Sequence, residues 1–197
     1  MKRVYVLALV AALVLMSASA CDKKQGGTGK AEGGGIAWMG YTEGMAKAKE
    51  TGKPVIVDFY TDWCHICKEL DAGTFKDPSV IEMMNSDFVC IKVNAEGRNI
   101  VTEFGKQMTE LELAQSYQVT GFPTLWFFDR GGKPVGSMPG HPPAAQLKEF
   151  LTWISGGSFA KGIEFEDYVK SRQAGAPSGA PATKEPAPAG DGHGEKK

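Results

Sequence analysis

Cysteine and histidine are scarce in this chain, at four and three among 197 residues. A structural zinc site takes four N or S ligands, and Cys90 and His141, the two available beyond a C-x-x-C pair, look poorly placed for a metal-binding module. An excess of either charge is also lacking. Twenty-two Lys and Arg stand against 23 Asp and Glu, for a formal net charge of −1. That balance gives no electrostatic reason to expect nucleic acid as a partner. No apolar run reaches the roughly 20 residues of a membrane-spanning helix. The stretch Val4–Met16 holds thirteen residues. No internal repeat is visible, which speaks against a repeat array.

Residues 1–20 have the layout of a secretory signal peptide. Lys2 and Arg3 form the charged start, Val4–Met16 the apolar stretch and Ala18-Ser19-Ala20 the small-residue exit. Its removal leaves a net charge near −3. Residues 21–37 are Gly-rich and polar, a flexible tether. Residues 38–155 have ordinary globular composition, enough for one domain with a core. Residues 156–173 are read as a short helical extension. Residues 174–197 are Ala, Pro, Gly and charge, a composition that favours disorder, and His193 there is solvated.

Within the folded part, periodicity and punctuation predict a helix over Trp38–Thr51 and a buried strand over Pro54–Tyr60. A helix begins at Cys64 and runs to Leu70. Asp77-Pro78 caps another through Met84. Strands follow at Phe88–Asn94 and Thr124–Phe128, with a helix over Glu110–Tyr117 between them. Gly131-Gly132 turns into a strand at Lys133–Ser137. An amphipathic helix at Ala144–Ile154 carries Leu147, Phe150, Leu151 and Ile154 on one face. One more short helix is read at Phe159–Arg172. This order fits an α/β domain whose central mixed sheet is flanked by helices.

The most informative segment is Val55-Ile-Val-Asp-Phe-Tyr-Thr-Asp-Trp-Cys-His-Ile-Cys-Lys68. An apolar strand carries one acid and leads into two cysteines separated by two residues. At the start of a helix, the first thiol meets free N–H groups and the positive end of the dipole, which favour a thiolate. The second lies about one turn on, within reach of a disulfide. Cys64 is thus the expected nucleophile and the more exposed of the pair, and Cys67 the resolving thiol. A cationic His65 would stabilise the thiolate, so His65 and Ile66 are expected to tune the potential; alternatively His65 is simply exposed at the helix tip. Asp58 either lies buried, with a raised pKa and a role as proton acceptor for Cys67 through water, or reaches solvent. Cys90, among Val89, Ile91 and Val93, reads as a buried inert thiol, and His141, near Pro139 and Pro142, as a loop residue.

Three motifs together resemble the thioredoxin fold across Trp38–Ile154. They are Trp63-Cys-x-x-Cys-Lys68, Asp58 six residues before Cys64, and Gly121-Phe-Pro-Thr124. The segments Asp58-Phe-Tyr-Thr-Asp-Trp-Cys64, Cys67-Lys-Glu69 and Thr74-Phe-Lys-Asp-Pro-Ser-Val80 further resemble the C-terminal periplasmic domain of DsbD-type disulfide reductases. Asn94–Glu110 is longer than in short thioredoxins and resembles the extra loop of other envelope members. The resemblance implies that Pro123 is cis and leaves the Phe122 backbone free to pair with an extended substrate; the alternative is a trans proline opening the strand. It implies that Trp63 packs beside the site and shields it, where plain core filling is the other reading. Gly140 resembles a family glycine that allows close approach to the active-site face.

The function so implied is thiol–disulfide exchange without cofactor or metal, in the direction of reduction. Partners would be envelope proteins with disulfides or dithiols, an apocytochrome c among them, and a membrane electron donor of DsbD type. Oxidases and isomerases share the site, and potential separates them over about 150 mV. Covalent haem attachment normally needs C-x-x-C-H, whereas Lys68 follows Cys67. A non-catalytic adaptor using the fold for docking is a further alternative. Ala18-Ser-Ala-Cys21 resembles a bacterial lipobox, with lipidation at Cys21 or ordinary cleavage after Ala20 as the two outcomes. Asp22 resembles the residue that holds some lipoproteins at the inner membrane. The expected location is the periplasmic side of the bacterial envelope, anchored or soluble. If Cys21 is acylated, Cys21→Ser moves the protein from the membrane to the soluble fraction on cell fractionation. An unchanged distribution of the variant would contradict lipidation.

Overall fold

A computed structural model describes residues 35–175. The expected signal peptide, most of the tether, Cys21 and nearly all of the tail lie outside the described residues. A five-stranded sheet is ordered β1-β3-β2-β6-β7. Its strands are β1 (Trp38–Met39), β2 (Val55–Tyr60), β3 (Val89–Asn94), β6 (Thr124–Phe128) and β7 (Pro134–Pro139). β1, β3 and β2 are parallel, β6 runs antiparallel to β2, and β7 antiparallel to β6. A separate hairpin is formed by β4 (Ile100–Glu103) and β5 (Lys106–Thr109). The helices are α1 (Tyr41–Thr51), α2 (His65–Ala72), α3 (Pro78–Asp87), α4 (Glu110–Ser116), α5 (Ala144–Ser155) and α6 (Phe165–Gly175). None of the described helices is long and apolar enough to cross a membrane.

β2 pairs on both edges, so its side chains divide between two cores. Val55, Val57 and Phe59 join α1 and α4 through Tyr41, Ala48, Leu113 and Ala114. Ile56 joins α2, α3 and α5 through Leu70, Val80, Met84, Leu147 and Leu151. The period of two therefore places Asp58 on the same face as Ile56, towards α2. Gly44 lets α1 lie against β3, since a Cβ there would collide with the Ile91 side chain. Asp77 caps α3 by accepting from Ser79 N at 2.9 Å and Val80 N at 3.1 Å, with Pro78 at the first helical position. Thr109 and Glu112 close a capping box on α4.

Several expected elements differ. Trp38–Met39 is an edge strand on Cys90 and Ile91, not the start of the first helix. Pairing with β3 and the contact of Trp38 with Phe75, at 5.1 Å between centroids, outweigh the helical spacing. Asn94–Glu110 is largely the β4–β5 hairpin rather than a loop. α3 continues to Asp87, three residues past Met84. The expected terminal helix is split: a 3-10 turn at Phe159–Lys161 ends at Gly162, whose φ of 73° is left-handed, and α6 follows. α6 is attached through Phe150, Trp153 and Phe165, and the Trp153 indole N–H donates to Ile163 O at 2.8 Å.

The hairpin is fastened by Glu103. This buried carboxylate accepts the hydroxyl of Tyr41 at 2.6 Å on Oε2 and that of Tyr117 at 2.6 Å on Oε1. Thr102 N also donates to Thr42 Oγ1 at 2.9 Å. Hydrogen bonds to a charged, buried group are worth about 1.5–3 kcal/mol. Tyr41→Phe is expected to lower stability by about that amount in urea unfolding at constant m-value. An unchanged midpoint would show that the Glu103 network does not hold the hairpin.

Candidate active site

Cys64 is the N-cap of α2, directly after β2, with φ −67° and ψ 108°. The apolar strand delivers the chain to this point, and Cys64 N donates to Thr61 O at 3.2 Å to close the connecting turn. Cys64 and Cys67 are joined by a disulfide. Cys64 Sγ accepts the backbone N–H of Cys67 at 3.0 Å, as a capping oxygen would. Both cysteines are buried in this oxidised form, at 3% and 4% exposure. The expectation that Cys64 is the more exposed is therefore not met; the bridge folds both sulfurs against the helix end.

Trp63 stands 65% exposed, which excludes core filling. Its indole N–H donates to Glu96 Oε2 at 2.9 Å, and its ring meets that of Phe122 edge-on at 6.0 Å. This contact brings the Phe122–Pro123 loop beside the disulfide. The Phe122–Pro123 bond is cis, and Pro123 O accepts Gly140 N at 2.8 Å. Gly140 holds a φ of 82°, a conformation that suits glycine. His65 and Ile66 are exposed on the first turn of α2, and His65 Nε2 lies 3.2 Å from Glu69 Oε1, one turn on.

Asp58 is 1% exposed and does not reach solvent. Burial pushes its carboxyl up to about 7, partly opposed by the Lys92 ammonium, while the nearby Asp71 carboxylate raises it further. Lys92 Nζ lies 3.5 Å from Asp58 Oδ2 and 2.6 Å from Asp71 Oδ1. The ammonium also sits 5.3 Å from the Trp38 ring centroid and 5.2 Å from that of Tyr60. Asp58 Oδ1 has no hydrogen-bond partner. Asp71 stands one turn after Cys67 on α2, so this charge cluster lies between β2, β3 and the helix that carries the disulfide.

Lys92, Asp71 and Glu96 are site neighbours that the sequence reading passed over. Lys92 stands out in the sequence as the one cation of its strand, but its pairing in register with Asp58 is seen only in the fold. Cys90 is buried, forms no disulfide and is pushed up to about 12 by burial. His141 is exposed in its loop, 3.4 Å from Thr74 Oγ1.

A five-stranded mixed sheet, with a C-x-x-C disulfide at the head of the helix after its central strand, gives the chain the fold of thioredoxin. A family model described as a thioredoxin-like domain matches residues 41–154, and the chain belongs to that family. It is 39% identical over 113 residues to the thiol:disulfide interchange protein DsbD of Vibrio vulnificus, covering 56% of this chain and 18% of that protein. The chain thus spans under a fifth of the length of the curated relatives it matches. Among solved structures it is similar to a thioredoxin from Thermus thermophilus, with 28% identity, a TM-score of 0.53, and coverage of 65% of this chain and 93% of that one. A DsbH oxidoreductase structure is 25% identical with a TM-score of 0.50, covering 61% and 85%.

The Asp58 environment has a consequence for stability. An acid ordinarily near 3.8 and raised to about 7 in the fold is costly only when charged. Its penalty is absent below about pH 4, grows as pH rises to 7 and then levels off. Asp58→Asn, with the disulfide intact, is expected to gain stability over the parent across that window, on the order of 2–4 kcal/mol above pH 7. A difference independent of pH in denaturant unfolding would contradict it.

Proposed function

We propose that the chain is a thiol–disulfide oxidoreductase that reduces disulfides of bacterial envelope proteins. The observation that carries this reading is Cys64 as the N-cap of α2, its sulfur accepting the Cys67 N–H. That donor and the helix end favour negative charge on Cys64 once the bridge opens. In the reduced protein, the Cys64 thiolate attacks one sulfur of a substrate disulfide. A mixed disulfide forms, and the other substrate sulfur leaves as a thiolate and takes a proton. Cys67 then gives up its proton, with Asp58 as the acceptor through water, and attacks Cys64 Sγ. The second substrate thiol is released, and two electrons have passed to the substrate.

Asp58 suits this task because a carboxyl titrating near 7 can accept and return a proton at neutral pH. Trp63, Phe122 and Pro123 form the face offered to an extended substrate, with His65 and Ile66 adjusting the potential from the exposed side. The relatives' printed name, thiol:disulfide interchange protein, supports exchange as the reaction. The likeness to DsbD favours reduction over oxidation or isomerisation. By the same likeness, an apocytochrome c is a fitting substrate and a DsbD-type membrane protein a fitting donor. A lipid on Cys21 would hold the domain at the membrane near that donor.

Cys67→Ser is expected to accumulate mixed disulfides through Cys64, visible as thiol-sensitive adducts on non-reducing gels. Cys64→Ser is expected to lose insulin reduction by at least about 100-fold. Full insulin reduction by Cys64→Ser would refute the assignment of the nucleophile.

A further inference from the structure

The far end of the sheet carries a second surface that dithiol chemistry does not use. β2 runs from Val55, at that end, to Tyr60, next to the cysteines. Six residues of strand put the two ends about 17 Å apart. Between α1, the β4–β5 hairpin and the turn after β6 lies a cleft of about 510 Å³. Its floor and walls include Met45, Ala46 and Val55, and Phe104 stands on its rim.

Phe104 is an unusual residue for its place. It occupies the hairpin tip with φ 48°, and Gly105 follows at φ 80°. A two-residue turn with both φ positive suits Asn-Gly or Gly-Gly, and a bulky side chain there is strained. The ring is nonetheless 87% exposed, so packing does not compensate for the strain. The base beneath it is fastened by the Glu103 bonds to Tyr41 and Tyr117 and the Thr102 bond to Thr42. An outlier held in place by its surroundings, with an aromatic side chain presented to solvent, is the pattern of a contact residue.

Charge indicates what that contact is with. Lys49, Lys53 and Arg130 line the cleft, and among the described residues none has a carboxylate within ion-pair distance. Arg130 makes only long bonds to the carbonyls of Gly52 and Ser155, and Lys53 bonds the carbonyl of Ser86. Both oxygens of Glu103 are taken by tyrosines. Asp129, the other acid on the lining, accepts the amides of its own turn, Gly131 and Lys133, at 2.8 Å each. The cleft therefore offers an apolar floor and an aromatic rim with cations that have no acidic partner among the described residues.

We propose that this cleft docks an acidic peptide segment of a partner protein, with an apolar side chain seated against Phe104 and Met45 and flanking carboxylates on Lys49 and Arg130. The partner would be held without covering the disulfide, leaving Cys64 free to exchange.

The test is fluorescence anisotropy of a fluorescein-labelled peptide, phenylalanine and leucine flanked by aspartates, against the full chain. Saturable binding is expected, with its lysine-flanked counterpart at least about tenfold weaker. Arg130→Glu and Phe104→Gly are each expected to weaken binding about tenfold while insulin reduction stays unchanged. Glycine fits the positive φ, so Phe104→Gly removes the ring without breaking the turn. The Cys64→Ala, Cys67→Ala double variant is expected to bind like the parent, which separates this surface from the exchange reaction. No saturable binding, equal binding of the lysine peptide, or parent-like binding by Arg130→Glu or Phe104→Gly would overturn the proposal. So would binding to phosphatidylcholine–phosphatidylglycerol vesicles in place of the peptide.

Discussion

The structure depends on one constraint, the burial of β2 between two strands and two layers of helix. A central strand paired on both edges has no solvent-facing side, so each residue it carries enters one core or the other. Apolar residues meet that demand at Val55, Ile56, Val57 and Phe59. Asp58 meets it at the expense of its charge, and its carboxyl is raised to about 7. The strand also ends where α2 begins, so the same element that buries the acid delivers Cys64 to a helix N-terminus. Acid and dithiol are thereby linked through the chain itself, with Lys92 of the adjacent strand in register with Asp58.

Much of this site can be read along the sequence because its parts lie close in the chain. The Asp58 to Cys67 spacing is local, the turn before Cys64 is short, and C-x-x-C has few other uses in such a setting. The cap at Asp77-Pro78 and the capping box at Thr109 are local signals of the same kind. What was not legible is what depends on distant partners. Lys92 reaches Asp71 and Asp58 across strand pairing and helix packing. Glu96 finds Trp63 from 33 residues away. Trp38–Met39 has helical spacing but pairs as a strand because β3 has an open edge beside it. The β4–β5 hairpin escaped notice because its strands are four residues each, too short for alternation to stand out. Its anchor, Glu103 between two tyrosines, joins residues up to 62 positions apart.

The domain therefore has two ends with different chemistry. At one, a buried acid and the paired rings of Trp63 and Phe122 accompany the disulfide of the helix-capping Cys64. At the other, a hairpin fastened by Glu103 presents an exposed phenylalanine over a cleft that Lys49, Lys53 and Arg130 line together with Glu103 and Asp129. The sheet separates the ends, so a peptide docked at the far cleft, as proposed, would leave the disulfide uncovered.

The reversible opening of the Cys64–Cys67 bridge is the centre of the account. Its reduction potential, from equilibration in dithiothreitol and glutathione buffers followed by alkylation and mass spectrometry, tests this most directly. A single two-electron transition is expected, nearer the thioredoxin value of about −270 mV than the DsbA value of about −120 mV. A bridge that stays closed, or stays open, across all those buffers would contradict it.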